Sequence, residues 1–278
     1  MVVLNVSCRA ADPAVPTALQ ETSQPTATEA PASARVNEDI ILLLDYEAEL
    51  NRYRAAVEEL GNEYDEETAK NEALQALIDQ LLLAQAAEER GYVQDAGAVD
   101  AKISELEQDI GGQEQLMAWM GENFFTEESF RRYMEREIAA IWMRDQLLSE
   151  MPTSTEQVHA RQILVQTENQ ATSVQMRLQA GASFQELAFE FDPLTGGDLG
   201  WFPRGYLLQP AVEEAAFNLQ PGQVSSTIST DYGYHIVEVI ERGEQPLSPG
   251  ALLFIQEQAL LDWLENQRET SQIEILVP

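Results

Sequence analysis

The spacing of apolar residues changes period partway along this chain, and that change limits what each part can fold into. Up to Pro152 the spacing is helical. Tyr46, Leu50, Tyr53, Val57 and Leu60 mark one helix face, and Leu74, Leu77, Ile78, Leu81 and Leu82 mark a second, with Gly91 as its stop signal. A third stripe, Val99, Ile103, Leu106 and Ile110, ends at Gly111-Gly112, and a short fourth carries Leu116, Trp119 and Met120. Thr126 is placed to cap a fifth helix bearing Phe130, Tyr133, Met134, Ile138, Ile141 and Trp142, which Pro152 closes. From Gln157 to Gln166 the residues alternate or branch at Cβ, which predicts a strand. "NQATSVQMRLQAG" and "SFQELAFEF" predict two helices broken at Gly181. "FDPLTGGDLGWF" (191–202) reads as a glycine-rich loop and "PAVEEAAFNL" as a short helix. "VSSTIS" and "YHIVEVIE" read as strands joined by the turn "TDYG". Helical spacing returns in "PGALLFIQEQALLDWLENQRE", and the chain ends on the strand-like "QIEILVP".

These readings predict an α+β unit over 156–242 inserted in a helical lobe over 36–155. Residues 243–278 supply a C-terminal helix and strand that pack back on that lobe. "VNEDIILLL" (36–44) reads as a strand or apolar lead-in, and "IEIL" near the C-terminus is expected to pair with its "DIIL".

Residues 1–35 differ from the rest. After the apolar "MVVLNVS" comes the single cysteine, Cys8, and then a stretch rich in Ala, Pro, Thr and Ser. Such a composition buries too little apolar surface to fold and predicts a disordered tether. With one cysteine no internal disulfide forms. A cysteine between an apolar run and a tether resembles the lipid-bearing cysteine of a bacterial lipoprotein, although Asn5 stands where leucine is usual and no basic segment precedes it. The resemblance implies an extracytoplasmic protein held at a membrane surface by a lipid on Cys8.

The chain carries 48 acids against 16 bases, a formal charge of −32, and only Lys70 and Lys102 are lysines. A surface so acidic repels nucleic acid and anionic lipid and suits cationic or unfolded partners. Only two histidines are present, so no His/Cys zinc set is available, and no G-x-S-x-G elbow occurs. "TGGDLG" lacks the Lys-Ser/Thr ending of a phosphate loop. Neither a metal nor a cofactor is expected. Met117, Met120, Met134 and Met143 read either as an adaptable client surface or as ordinary helix packing. Both histidines, His159 and His235, fall in the α+β unit, in its first and last strands. First and last strands of a small sheet are often neighbours, so the two imidazoles are expected to face each other.

Four blocks, "VHARQILV", "GGDLGWFPRG", "VEEAAFNLQPGQVS" and "TDYGYHIVEV", resemble in order and spacing those of the parvulin-type peptidyl-prolyl cis-trans isomerases. The flanking lobe, through "TEESFRRYMEREI" and the inserted arrangement, is similar to the chaperone part of SurA and PrsA foldases. The resemblance implies a four-stranded antiparallel sheet with surrounding helices, set into a mostly helical SurA-like chaperone lobe. It implies an isomerase and chaperone acting without cofactor on unfolded or proline-containing polypeptides. By the same resemblance, His159 and His235 form paired imidazoles at the pocket base, and Asp192 lies beside the rotating bond. Leu199 and Phe202 line an apolar floor on which glycines fold the loop tightly, while Asp198 ties that loop. Leu207 takes the place of a common Met, Val212 that of a common Phe, and Phe217 and Tyr232 complete the wall. The segment from Asp192 to "GGDLG" is shorter than usual, and an insertion lies between Arg204 and Phe217. These departures favour an alternative, a parvulin-like holdase that binds clients and catalyses weakly or not at all.

Overall fold

The computed structural model describes residues 30–277. In chain order its elements are β1 (Ala32–Val36), β2 (Asp39–Leu42), α1 (Leu43–Glu59), α2 (Glu66–Glu89), α3 (Ala96–Ile110), α4 (Gln113–Glu122) and α5 (Glu127–Ser149). There follow β3 (Ser154–Val165), α6 (Glu168–Gln179), α7 (Phe184–Phe191), β4 (Asp198–Phe202), α8 (Pro210–Asn218), β5 (Ile228–Thr230), β6 (Gly233–Pro246), α9 (Pro249–Thr270) and β7 (Ile273–Ile275). Among the described residues no helix is long and apolar enough to cross a membrane. Cys8 lies outside the described residues.

The helices of the lobe form where the stripes predict. Thr126 caps α5, its hydroxyl accepting from the Ser129 amide while the Ser129 hydroxyl receives the Thr126 amide. Leu74, Leu77, Ile78, Leu81 and Leu82 of α2 are buried against Tyr46 of α1 and the β1–β2 hairpin. The α1 stripe fades toward its end, where Leu60 is 74% exposed. Met120, Met134 and Met143 are core residues and only Met117 is largely exposed, so packing rather than a client surface accounts for three of the four.

The N- and C-terminal parts of the lobe are joined by a three-stranded sheet in the order β2-β1-β7. "IEIL" therefore pairs with β1, Ala34 opposite Ile275 and Val36 opposite Ile273, not with "DIIL" as expected, because β1 stands between them. Residues 32–35, read from the sequence as part of the tether, instead belong to β1. "ASARV" looks too poor in apolar residues to fold, but a strand flanked on both sides needs only its backbone and alternate side chains, and Ala34 and Val36 are fully buried. Asn37 turns the hairpin at φ 55°, a left-handed conformation that asparagine tolerates. Its Oδ1 accepts from the Gln272 amide at 3.0 Å and its Nδ2 donates to Gln85 at 2.8 Å, so one side chain links hairpin, α2 and the approach to β7. Arg268 of α9 closes on Asp79 of α2 through two contacts, the closer at 2.9 Å.

Between α5 and α9 the chain builds a four-stranded antiparallel sheet, order β4-β3-β6-β5. The stretch read as a loop thus contains strand β4, whose polar and glycine residues hide its pairing with Val158–Arg161. Helix α8 covers one face, over Val158, Ala160, Phe202, Val237 and Val239, and α6 and α7 cover the other, over Ile163, Val165 and Ile236. The alternation of strand side chains makes both faces apolar. The two ends of this unit leave side by side, with Ser154 opposite Pro246 and the Gln157 amide donating to the carbonyls of Gln245 and Pro246.

Replacing Asn37 by alanine is expected to destabilise the chain by about 2 kcal/mol, through left-handed strain and two lost side-chain bonds. Asn37→Gly removes only the bonds and costs about half as much. Urea unfolding of the parent and both variants measures the differences, and an Asn37→Gly chain as stable as the parent would remove Asn37 as a clasp.

Candidate active site

The site is built on the long pairing of β3 with β6. In that register Leu164 stands opposite His235, whereas His159 stands opposite Glu241. The two histidines are thus five strand positions apart along β3, about 16 Å at 3.3 Å per residue. They also face opposite ways. His235 alternates with Val237 and Val239 onto the α8 face, while His159, between Val158 and Ala160, alternates away from it. The expectation that the imidazoles meet is therefore corrected. Placing two residues on neighbouring strands fixes neither register nor face, and a bulge between His159 and Ala160 shifts the register further.

His159 instead joins Asp198 and Trp201. Its Nε2 lies 2.9 Å from Asp198 Oδ1, and its ring sits 5.5 Å from that of Trp201, its direct partner on β4. Burial raises the Asp198 carboxyl, but hydrogen bonds from the Gly200 amide and His159, with the charges of His159 and Arg161, outweigh it and leave its pKa below the usual range.

The partner of His235 is a residue that sequence reasoning missed. Gln162 Oε1 lies 2.8 Å from His235 Nδ1, and Thr230 Oγ1 lies 2.8 Å from Nε2. A carboxamide oxygen only accepts, so the network assigns the proton to Nδ1 and leaves Nε2 to accept from the Thr230 hydroxyl. The place that the resemblance gives to a second imidazole is held by a carboxamide. One signal was present in "VHARQILV": Gln162 has the parity of Val158 and Ala160 and is the polar residue on an otherwise apolar face. His235 is only 3% exposed. Burial lowers its pKa below the 6.5 of a free imidazole and keeps the ring neutral.

Around this polar line the structure gathers the predicted apolar residues. Phe202, Val212 and Phe217 are buried in one cluster, with the Phe202 and Phe217 rings edge to face at 6.0 Å. Leu199, Leu207 and Ile228 pack on the cluster and stay partly exposed, so they form the accessible rim while Phe202 is floor. Tyr232 is not part of it. It sits 64% exposed in the turn between β5 and β6, its amide donating to Thr230 Oγ1. Glu213, also unforeseen, fixes the loop that carries Leu207. Its two oxygens accept from the amides of Gly205 at 2.7 Å and Leu207 at 3.0 Å.

Asp192 ends α7 and turns its carboxylate on its own loop. It accepts from the amides of Leu194 at 3.1 Å, Thr195 at 3.2 Å and Gly197 at 3.3 Å, and from the Thr195 hydroxyl. The Thr195 hydroxyl and amide bonds hold its pKa below the usual carboxylate range. Its oxygens are thus committed to the turn, the tying task expected of Asp198, and the shortened loop keeps it there. The glycines answer to close approach: a Cβ on Gly197 would lie 1.9 Å from the Gln162 carbonyl, and one on Gly196 would lie 2.8 Å from the Phe189 ring. Through Gly197 the loop is laid directly on Gln162, whose amide donates to the Gly197 carbonyl at 2.8 Å.

An antiparallel β4-β3-β6-β5 sheet, helices on both faces and a buried imidazole beside an apolar rim define a parvulin domain. Residues 151–241 match the family model for the PPIC-type PPIase domain, and residues 14–144 match that for the SurA-like N-terminal domain. The chain thus carries a PPIC-type peptidyl-prolyl isomerase domain and a SurA-like N-terminal domain. Foldase protein PrsA of Geobacillus kaustophilus is 32% identical over 194 residues, 66% of this chain and 66% of its own length. Foldase protein PrsA of Oceanobacillus iheyensis is 30% identical over 175 residues, 61% of this chain and 56% of its own. Chaperone SurA of Nitrosospira multiformis is 33% identical over 144 residues, 44% of this chain and 32% of its own. The matched stretch thus spans under two thirds of the length of each of these curated relatives.

The His235 environment predicts a pH dependence. The folded pKa lies below the unfolded one, so the unfolded chain binds the proton first as pH falls. The contribution is complete above about 6.5 and is lost as pH drops from there through the folded pKa. Stability measured by urea unfolding between about pH 7 and pH 5 should fall more steeply in the parent than in His235→Leu. Parallel slopes would mean the imidazole is not held neutral by the fold.

Proposed function

We propose that the chain is a peptidyl-prolyl cis-trans isomerase and chaperone for exported polypeptides. The observation that carries this reading is the Gln162–His235–Thr230 line set beneath the rim of Leu199, Leu207 and Ile228. The barrier to rotating an X–Pro amide, about 18–20 kcal/mol, is resonance that is lost as the bond twists. No bond breaks, so the reaction asks for no nucleophile, metal or cofactor. The twisted amide is less dipolar than the planar one, so an apolar, water-poor seat favours it relative to the ground state. A thousandfold acceleration requires about 4 kcal/mol of such preference.

In this reading the proline ring rests on Leu199, Leu207 and Ile228, with Val212, Phe202 and Phe217 as the fixed floor. His235, held neutral and in one tautomer, supplies an oriented dipole below the ring. Asp192 positions the loop, Glu213 positions Leu207, and His159, on the other face of the sheet, takes no part. The helical lobe holds unfolded clients near this site. We place the protein outside the cytoplasm, with Cys8 as the point of lipid attachment, in keeping with the apolar run before it and the tether after it.

Isomerisation of a proline-containing tetrapeptide tests the enzyme. His235→Ala should lower kcat/KM by about tenfold or more and Leu207→Ala should raise KM, while His159→Ala stays within about twofold of the parent. A parent chain that suppresses client aggregation yet leaves the uncatalysed rate unchanged would instead be a parvulin-like holdase. The anchor is tested separately, by the mass of the mature N-terminal peptide from a native membrane fraction. A diacylated Cys8 is the expected result, and an unmodified thiol would remove the anchor.

A further inference from the structure

The helical lobe contains a cleft that the isomerase site does not use. It lies between the α1–α2 pair and the α4–α5 pair, encloses about 430 Å³, and has Trp119, Phe125 and Tyr133 in its walls. Its charged groups are Glu49, Glu137 and Arg52, two carboxylates against one guanidinium. Arg52 is already engaged. It bonds Glu49 and the Asn123 carbonyl and lies 4.1 Å over the Phe125 ring. Glu137 accepts only a neutral amide, Gln80 Nε2 at 2.8 Å, and meets no cation among the described residues. Burial pushes the Tyr133 phenol up, and the charges of Glu137 and Glu49 push it further against the opposing Arg52. Phe124, between two lining residues, is 45% exposed and holds φ 62°, a conformation that glycine usually takes at a helix end.

Arg52, Glu49 and Phe125 show the chemistry that the rest of the cleft offers: a cation held between a carboxylate and an aromatic face. Trp119, Tyr133 and Glu137 repeat those elements without the cation. We propose that this cleft receives Lys or Arg side chains of extended client segments. The inference deepens the chaperone half of the function above and rests on it. A chain of formal charge −32 draws cationic segments from a distance, and the cleft gives them one seat.

The test uses the full chain and two labelled, proline-free peptides of equal length, one alternating Lys and Arg with Leu, the other with Glu at the basic positions. Fluorescence anisotropy should show tighter binding of the basic peptide. Glu137→Gln, which conserves volume and the acceptor for Gln80, should weaken it by about threefold to fivefold. Trp119→Leu should weaken it comparably. Glu257→Gln, exposed on α9 away from the cleft lining, should leave it unchanged. All three variants should isomerise a proline tetrapeptide like the parent, so lost peptide binding with retained isomerisation separates the cleft from the active site. Equal weakening by Glu137→Gln and Glu257→Gln would assign the preference to diffuse charge and overturn the proposal. So would equal affinity for the two peptides. If Trp119→Leu fails to fold, Glu137→Gln alone decides.

Discussion

The pairing of β3 with β6 is the constraint on which the rest of the molecule depends. It runs twelve residues along β3, from Ser154 opposite Pro246 to Val165 opposite Tyr234. One end receives and returns the chain of the helical lobe. The other brings Gln162 and His235 within hydrogen-bond reach and leaves Val237 and Val239 to carry the apolar floor. A slip of one residue would exchange the faces of every side chain on a strand, moving His235 onto the apolar α6–α7 face and Ile236 into its place. The line from half-buried Gln162 and Thr230 to buried His235 itself resists that slip, since a buried polar atom left without a partner costs about 1–3 kcal/mol.

Two loops complete the site, and each is held by one carboxylate. Asp192 gathers the amides of the loop before β4, and Glu213 gathers those before Leu207. Asp192, to which sequence reading gave chemistry, and Glu213, which it passed over, both serve the backbone. Ionised carboxylates accept several donors at once, which is what irregular chain next to a pocket needs, because its amides have no ladder to join. Most of the remaining ion pairs are exposed and short in range, and they set surface character more than stability.

Much of this organisation was legible in the sequence. The helical stripes, the cap at Thr126 and the change of period after Pro152 located the lobe and the inserted unit, because both signals are local. Strand β4 was not legible. Its pairing rests on backbone next to left-handed glycines, which carry no alternation of their own. The apolar residues of the site were found through resemblance, and five of the six gather in one cluster, Tyr232 excepted. The polar pair was misread. Counting histidines located the right strands, but register and pleat decide which side chains meet, and these depend on a bulge and an offset that no local pattern reveals. Gln162 was overlooked because glutamine announces no chemistry, although its parity set it apart.

The β2-β1-β7 sheet has a consequence for the order in which the chain is completed. Its third strand, Ile273–Ile275, follows every strand of the inserted sheet along the chain, the last of which is finished by Pro246. As the polypeptide emerges from N- to C-terminus, the isomerase unit can close while the lobe still lacks the segment that seals its edge. Until then β1 offers an open row of amides and carbonyls, the kind of edge to which a foreign strand adds. Vectorial synthesis therefore leaves this strand edge open in the nascent chain for a time after the inserted sheet is complete.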